Sequence, residues 1–314
     1  FSDDAGNTQL TYAGLKVWDA TARQLPAKLR SESSDTLLLE VDVTGASYPV
    51  TIDPIAQQAY LKASNTGAGD LFGWSTALYG DTLVVGAPRE DSSAMGVNSD
   101  QANNAANDSG AVYIFVRNGG TWTQQAYLKP TNTGTGDLFG YSVAIDGDTI
   151  VVGAPMEAST SVGVNGYQLN NDAFGAGAAY VFVRNGSVWS QQAYLKPSNT
   201  RTFQAFGHAV SISGNSLVVG SPQEGGSATG VNGNQTTLNA PQSGAAYVFV
   251  RDGNTWSQQA YLKASNTEPM DHFGEDVAIS GNTIAVGAPH EDSTATGING
   301  GQGNGTFDAG AAYV

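Results

Sequence analysis

The chain has no cysteine and little positive charge. Without cysteine it has no disulfide framework, no thiolate metal ligand and no cysteine nucleophile. Its 28 acidic residues outnumber 13 lysines and arginines and give a net charge of -15. Such a chain repels phosphate backbones and anionic lipid surfaces, so we expect no nucleic-acid partner.

Long apolar runs and histidines are scarce as well. The longest apolar runs, such as residues 37–39 and 150–152, fall far short of the roughly 18 residues that a membrane span needs. The three histidines, His208, His272 and His290, occupy non-equivalent places and belong to no Ser-His-Asp order and no H-E-x-x-H pattern. The sequence therefore predicts no membrane span, no catalytic residues and no enzyme activity.

What the chain does contain is a repeat of 67 residues. The segment QQAYLK begins at 57, 124, 191 and 258, and a Phe-Gly pair, a V-G-[AS]-P turn and a G-A-[AV]-Y segment recur at the same period. Forty glycines accompany many valines, isoleucines, threonines and aromatic residues. This mixture is typical of short strands joined by tight turns, so the fold class is predicted to be all-β.

The second repeat shows how one unit folds. FGYSVAI alternates apolar and small residues as a strand does (strand a), and Asp146-Gly147-Asp148 forms a tight turn into TIVVGA (strand b). A polar loop over 157–176, the b–c loop, leads to GAAYVFVR (strand c) and then VWSQQAYLK (strand d). Four antiparallel strands in meander order make one propeller blade. The predicted blades are 72–129, 139–196, 206–263 and 273–314.

These residues carry a family resemblance. F-G-x-S-V-A-I, then G-[DN], then V-V-G-A-P resembles the FG-GAP repeat, known from the β-propeller head of integrin α subunits and from secreted bacterial proteins, over 57–314. The resemblance implies a secreted or cell-surface propeller whose Phe and Gly pack between blades. Calcium-binding members carry an Asp-x-Asp-x-Asp-Gly loop between strands a and b. Here a two-residue turn stands in its place, so we do not expect the family's calcium site.

The two ends of the chain differ from the repeats. Residues 1–56 do not share the period and are predicted to be the β-rich tail of an upstream domain, with the propeller domain at 57–314. Residues 57–62 could supply the outer strand of the fourth blade and close a four-bladed ring. The family instead implies seven blades, and Ala311–Val314 lacks the Phe-Val-Arg that ends strand c elsewhere. We therefore favour a longer chain with more blades beyond Val314.

The b–c loops are the first candidate for a binding surface, because loops on a rigid scaffold commonly carry binding. They share an Asn and a Gln at the repeat period. One interpretation is a surface of amides suited to sugar hydroxyls or a protein partner; the other is that the amides hold the loop shape. The candidates are Asn98, Gln101, Asn165, Gln168, Asn232, Gln235, Asn299 and Gln302.

Carboxylates at the loop entrances are the second candidate, and they suit Ca²⁺, which takes oxygen ligands. The metal candidates are Asp70, Glu90, Asp91, Asp271, Glu291 and Asp292. The second and third repeats break this pattern, since they have Glu157-Ala158 and Glu224-Gly225, and the third has Gln204 in place of an aspartate. The alternative is a solvated acidic rim. No other cofactor is expected.

Two further residue types recur on strand d. Trp122, Trp189 and Trp256 begin it and are predicted to pack beneath the blade rather than stack on sugars. A lysine ends it in every repeat and is interpreted as a guard against edge pairing. These lysines are Lys62, Lys129, Lys196 and Lys263.

Three functional hypotheses follow. The first is a non-catalytic extracellular or cell-surface module that presents its b–c loops to a protein or glycan. The second is a structural subunit of a surface layer, filament or matrix, which would self-associate. The third is an accessory propeller of a larger secreted hydrolase. All three rest on fold-level analogy.

Overall fold

The computed structural model describes residues 12–31, 37–56 and 58–314, and these contain strands but no helix. No described segment could therefore cross a membrane as a helix. The chain forms two compact units. The first runs to Leu61 and includes Gly119–Thr121, and the second comprises Lys62–Asn118 and Trp122–Val314.

The first unit consists of two antiparallel strand pairs. Strands β1 (Tyr12–Trp18) and β4 (Thr51–Ala56) form one pair, and β2 (Ala27–Ser31) and β3 (Leu37–Val41) form the other. The turn after β1 is held by the Asp19 carboxylate, whose Oδ1 accepts hydrogen bonds from the Thr21 and Arg23 backbone N–H groups at 2.9 and 3.0 Å. The β-rich character expected of this segment is therefore present in its described residues.

The second unit contains four successive blades, and it confirms the all-β propeller fold. Each of the first three blades is a meander of four antiparallel strands. The strands of the first blade are β5 (Ser75–Tyr79), β6 (Thr82–Ala87), β7 (Ala111–Asn118) and β8 (Thr121–Leu128), and those of the second are β9 (Ser142–Asp146), β10 (Thr149–Ala154), β11 (Ala178–Asn185) and β12 (Val188–Leu195).

The third blade gains a short fifth strand, while the fourth has three. The third holds β13 (Val210–Ser213), β14 (Ser216–Ser221), β15 (Gly230–Val231), β16 (Ala245–Asp252) and β17 (Thr255–Lys263), and the fourth holds β18 (Val277–Ser280), β19 (Thr283–Ala288) and β20 (Ala311–Tyr313). Strand β15 comes from the b–c loop and pairs with the outer strand β17.

The a–b connections are two-residue turns, as the sequence predicts. Asp146 pairs with Thr149 across the turn, and Gly147 has φ +56°. Glycine adopts this left-handed conformation at little cost, and it suits a tight hairpin. A turn this short has no room for a loop of carboxylates around an ion.

The blades pack against each other through the Phe-Gly pair. Phe139 is buried between Val112 and Ile114 of the first blade and Ile150 of the second. Gly153 faces the next blade so closely that an added Cβ would lie 1.9 Å from the Gly207 carbonyl oxygen. These residues therefore set the spacing between blades, as the family resemblance implied.

The outer faces of the first and last blades lack this cover. Leu78 is 64% exposed, whereas Ile212, at the same repeat position in the third blade, is 8% exposed. Gly287 occupies the Gly153 position in the fourth blade, and the nearest atom to its added Cβ is 3.8 Å away in Asp276. The uncovered face of the first blade and that of the fourth therefore correspond to the two sides of the interface that neighbouring blades form within the unit.

The closing strand proposed at 57–62 is not formed. Residues 58–62 adopt no strand, and residue 57 lies outside the described part of the chain. Whether the propeller has more blades stays a prediction.

Candidate functional site

The b–c loops lie with the connections that precede strand a on one side of the propeller unit, and we call this side the loop rim. Its loops span 88–110, 155–177, 222–244 and 289–310. In the second blade, Gln168 contacts the preceding connection at Thr131, and Phe174 packs on Phe203 of the following one. The opposite side carries the tight a–b and c–d turns.

In the first three blades, the repeated asparagine anchors the b–c loop to strand d. Asn165 has φ +54°, its N–H donates to the Tyr194 carbonyl at 2.8 Å, and its Oδ1 accepts from the Tyr194 N–H at 2.9 Å. Asn98 and Asn232 make the same pair of bonds to Tyr127 and Tyr261. Asn299 shares the positive φ, at +53°.

The repeated glutamine ties each loop to the connection before strand a. Gln168 Oε1 accepts from Thr131 Oγ1 at 3.2 Å, Gln235 from Ser198 at 2.9 Å and Gln302 from Ser265 at 3.1 Å, and Gln101 bonds to Ser64. Seven of the eight amides therefore make hydrogen bonds that hold the loops in place. Their use as a ligand surface stays a prediction.

A buried ion pair lies beneath each of the first three loops. Lys196 Nζ is 2.9 Å from Glu157 Oε2, and both side chains are buried. Glu157 also accepts from Tyr194 Oη at 3.0 Å and Asn132 Nδ2 at 3.1 Å. The equivalent pairs are Lys129 with Glu90 and Lys263 with Glu224, each at 3.0 Å.

The interpretation of these lysines as edge guards is therefore wrong for Lys129, Lys196 and Lys263. The three lysine side chains are buried rather than exposed at the blade edge. Burying a lysine ammonium costs free energy unless a carboxylate pairs with it, and each of these lysines has a glutamate partner. Only Lys62 is exposed. The outer edge is covered by the loop itself, through Val97 beside Leu128, Val164 beside Leu195, and β15 beside β17.

Burial shifts the pKa values of groups around these pairs. Burial lowers the pKa of Lys196, and the Glu157 carboxylate opposes that shift. Burial raises the pKa of Tyr194 well above its ordinary range. Burial, assisted by the charge of Glu157, raises the pKa of Asp137 to about 7. Each of these shifts disfavours the charged form of a buried group, so the buried network tolerates charge only where an opposite charge is paired with it.

The six metal candidates are divided among separate contacts. Glu90 is committed to Lys129, and Glu291 accepts from Asn266 Nδ2 at 2.7 Å. The aspartates accept from backbone N–H groups of their own loops: Asp70 from Gly67, Asp91 from Asp108, Asp271 from Glu268 and Asp292 from Asp308. Within residues 12–31, 37–56 and 58–314, no three His, Asp or Glu side chains already stand in metal-binding geometry. Calcium binding stays a prediction.

The tryptophans pack where the sequence predicts. Trp189 is buried with the Arg184 guanidinium 5.1 Å above its ring, and its Nε1–H donates to Gln125 Oε1 of the preceding blade at 2.8 Å. Trp256 repeats this arrangement with Arg251 and Gln192. Gln192 is the extra residue of a bulge in β12, which turns its side chain toward the next blade.

The sequence contained a signal for the ion pair that our interpretation missed. A glutamate stands two residues after the proline of every V-G-[AS]-P turn, at 90, 157, 224 and 291, with no exception. The lysine of QQAYLK is equally constant. Solvent-exposed carboxylates on a rim could vary from repeat to repeat. A buried Lys–Glu pair requires both residues in each repeat that forms it, because removing either partner leaves an unpaired buried charge.

Comparison with known proteins agrees with this architecture. The sequence model described as FG-GAP repeat matches residues 55–115, 122–182, 189–249 and 256–314. No curated protein matches the chain. The four matches cover most of the chain and recur at the repeat period. Each match after the first begins in the outer strand of one blade and continues into strand c of the next, as 122–182 does from β8 to β11. The chain therefore belongs to the FG-GAP repeat family.

Proposed function

We propose that this protein is a non-catalytic binding module, secreted or exposed on a cell surface, which presents the loop rim to a protein or glycan partner. The FG-GAP propeller fold fits a binding or scaffolding module, and the family is generally non-catalytic. The rim is the part of the fold whose side chains differ most between blades while its backbone anchors stay constant.

The main support for the proposal is that each loop combines constant residues that hold its shape with exposed residues that vary from blade to blade. The inward Glu157 and the anchoring Asn165 and Gln168 recur in all four repeats. Tyr167 and Leu169, beside those anchors, are 66% and 70% exposed and have no counterpart of their kind in the other loops. A constant frame with variable exposed side chains is how binding loops are commonly built.

The exposed side chains of the second loop suit contact with a partner. Tyrosine and leucine supply apolar area, and tyrosine is enriched among residues that dominate binding energy. The buried Lys–Glu pairs lie underneath and give the loop a fixed base. Binding at the rim would therefore cost little conformational entropy of the loop.

The test is binding of the purified chain to a printed glycan array and to a panel of immobilised extracellular-matrix proteins. The rim variant combines Tyr167→Ser with Leu169→Ser, and we expect it to weaken binding at least tenfold. The matched control is Val188→Ser, which is 67% exposed in the same blade but lies at the c–d turn on the opposite side. Equal loss in both variants, or no binding to either panel, would contradict the proposal.

A second function, self-association into a surface layer or filament, is favoured by the uncovered end faces. Leu78 and Gly73 of the first blade and Gly287 of the fourth present the two complementary halves of the inter-blade interface. Such a head-to-tail contact joins different surfaces of two copies, and it builds rings or filaments.

Sedimentation velocity over a wide concentration range tests this second function. Self-association would raise the sedimentation coefficient with concentration, and Leu78→Lys would suppress that rise. A monomer at every concentration would exclude the head-to-tail contact. It would leave the binding proposal unaffected, because the rim and the end faces are different surfaces.

A further inference from the structure

A groove runs along the outer edge of the fourth blade. Strand β20 pairs with β19 on its inner side, and no described residue pairs with it on its outer side. The groove has a volume of about 730 Å³ and lies between β20 and the fourth b–c loop, and we call it the acceptor groove. Its lining includes Glu291, Asn299, Gln302 and residues 310–314.

The second blade shows which element occupies the equivalent place. Its strand β12 pairs with β11 on one side, and on the other side Leu195 forms a bridge with Val164 of the b–c loop. The last three residues of the strand, Tyr194, Leu195 and Lys196, are completely buried. Strand d is therefore enclosed by its own blade, between strand c and the loop.

The acceptor groove contains the carboxylate that pairs with this lysine in the other blades. Glu291 is 2% exposed, and Asn266 Nδ2 donates to its Oε1 at 2.7 Å. In the second blade Glu157 has the same amide partner, Asn132, and pairs in addition with Lys196 at 2.9 Å. Among the described residues, no lysine or arginine forms an ion pair with Glu291. A buried carboxylate is stabilised by a paired cation, so the groove favours a strand that brings a lysine.

The backbone anchor and the apolar cover of strand d are present as well. Asn165 of the second blade bonds to both backbone groups of Tyr194. Asn299 has the same positive φ, +53°, but within the described residues it makes neither bond. Ile298 stands at the position of Val164 and is 93% exposed. The groove therefore presents an amide and an apolar side chain that strand d covers in the second blade.

The chain also carries a strand d sequence that lies outside the four blades. Residues 58–62 read QAYLK, the five residues that end strand d in each of the first three blades. They adopt no strand, and both Tyr60, at 79%, and Lys62 are exposed. The equivalent Tyr194 and Lys196 are completely buried. One chain therefore has both an unpaired blade edge and an exposed segment whose sequence fits that edge.

Within one chain this segment leads directly into the first blade rather than the fourth. Ala63 is buried, and Asn65 Nδ2 donates to Glu90 Oε1 at 2.8 Å. Tyr113 Oη donates to Asn65 Oδ1 at 2.6 Å, which fixes the chain a few residues after the segment. The first and fourth blades each have an uncovered face, so they do not pack against each other. A second copy can supply the strand without any change to these contacts.

We propose that the acceptor groove binds residues 58–62 of a second copy of this chain as the outer strand of the fourth blade. The added strand extends the sheet through backbone hydrogen bonds, and its side chains give specificity. Lys62 of the second copy pairs with Glu291, and Asn299 bonds to the backbone of Tyr60.

The third blade indicates the register. Residues 246–248 of its strand c pair with residues 260–262, the Ala-Tyr-Leu of strand d. The equivalent residues of the fourth blade are 312–314, and they are available on their outer side in the described structure. Tyr60 of the second copy then stacks on Tyr313, as Tyr261 does on Tyr247 with ring centroids 5.4 Å apart.

The first test is binding of the fluorescein-labelled peptide TWSQQAYLK, the sequence of β17, to the purified chain, measured by fluorescence anisotropy. We expect one site per chain and at least tenfold weaker binding in Glu291→Gln and in Asn299→Ala. The control Asp172→Asn removes an exposed carboxylate elsewhere and should leave binding unchanged. Near-ultraviolet circular dichroism verifies that each variant is folded.

A second peptide, with methionine in place of the lysine, isolates the ion pair. It should bind the wild type at least tenfold more weakly than the lysine peptide does. Against Glu291→Gln the two peptides should differ little, because the pair is already lost. An equal difference against both proteins would mean that the lysine does not reach Glu291, and it would overturn the proposal, as would a lack of peptide binding.

Sedimentation velocity in a Leu78→Lys background tests the second copy as the source of the strand. That substitution removes the head-to-tail contact of the end faces, so any remaining self-association uses another surface. We expect a rise of the sedimentation coefficient with concentration to remain, and either Lys62→Met or an excess of the lysine peptide to suppress it. Peptide binding without such a rise would overturn the second copy as the occupant, and it would leave the head-to-tail contact and the loop rim unaffected.

Discussion

At the scale of single residues, the interior of each blade depends on a few buried ionisable groups. Asp137 accepts a hydrogen bond from the Gly134 N–H at 2.9 Å and lies near Glu157, so burial and that second carboxylate raise its pKa to about 7. The third blade has Gln204 at this position, and its Oε1 accepts from the Arg201 N–H at 2.7 Å. An amide therefore fulfils the structural role without a charge.

We predict that Asp137→Asn stabilises the protein at pH 8 and has little effect at pH 4. The folded state holds the Asp137 proton up to about pH 7, whereas the unfolded chain releases it near its ordinary pKa. Ionisation therefore costs the wild type about 4 kcal/mol of stability as the pH rises from about 4 to 7. Urea unfolding at both pH values measures the difference. An unchanged pH profile would contradict the raised pKa; exposed Asp172→Asn is the control.

The buried lysine gives the second prediction at this scale. Lys196→Met leaves Glu157 charged and unpaired, and loss of one partner of a buried pair costs about 3–5 kcal/mol. Lys62→Met changes the same repeat position where the side chain is exposed, and it should cost less than about 0.5 kcal/mol. Chemical denaturation compares the two variants. Similar losses in both would mean that the ion pair contributes little.

At the scale of elements, close backbone contact sets the position of each blade against the next. The Gly207 carbonyl approaches Gly153, and Ser142 Oγ donates to the same carbonyl at 2.9 Å. A side chain at Gly153 would push strand a of the third blade away from strand b of the second. The Phe206 ring, buried in the same interface, depends on that spacing.

We expect Gly153→Ala to destabilise the protein by more than about 3 kcal/mol, since the methyl group would overlap the backbone of the next blade. Gly287→Ala makes the same change in the fourth blade, where the nearest atom is 3.8 Å away. It should be close to neutral. Thermal unfolding of both variants measures the effect. A tolerated Gly153→Ala would show that the blades can separate without loss of packing.

At the scale of the whole molecule, the blades of the propeller unit differ in how many of their faces pack against a neighbouring blade. The second and third blades are packed on both faces, and their strands β10 and β14 are almost wholly buried. The fourth blade is packed on one face, and β19 is partly exposed. In repeat proteins each unit is stabilised by its own folding and by its two neighbours, so an end unit lacks one of those contributions.

Native-state hydrogen exchange should therefore reveal a gradient. We predict that the amides of β18 and β19 exchange at least tenfold faster than those of β13 and β14 in the isolated chain. The paired positions Ile279–Ile284 and Ile212–Leu217 provide matched comparisons. Equal protection in both blades would mean that the unit unfolds as one cooperative body.

The repeat was enough to predict the fold class, the strand order of a blade and the tight turn at Asp146-Gly147-Asp148. These features are local: alternating apolar residues and turn-forming glycines act over a few positions, and four copies in phase reinforce them. The packing of Phe139 between blades was implied by the family resemblance, and the burial of Trp189 followed from the regular recurrence of the tryptophans.

Which distant side chains meet depends on the three-dimensional fold. Lys196 and Glu157 are 39 residues apart, and His208 and Glu275 are 67 apart. Their contact depends on how a loop folds over its own blade and how two blades face each other, which no local pattern encodes. The same charge is a solvated surface group at Lys62 and a buried ion pair at Lys196, because burial is a property of the assembled blade.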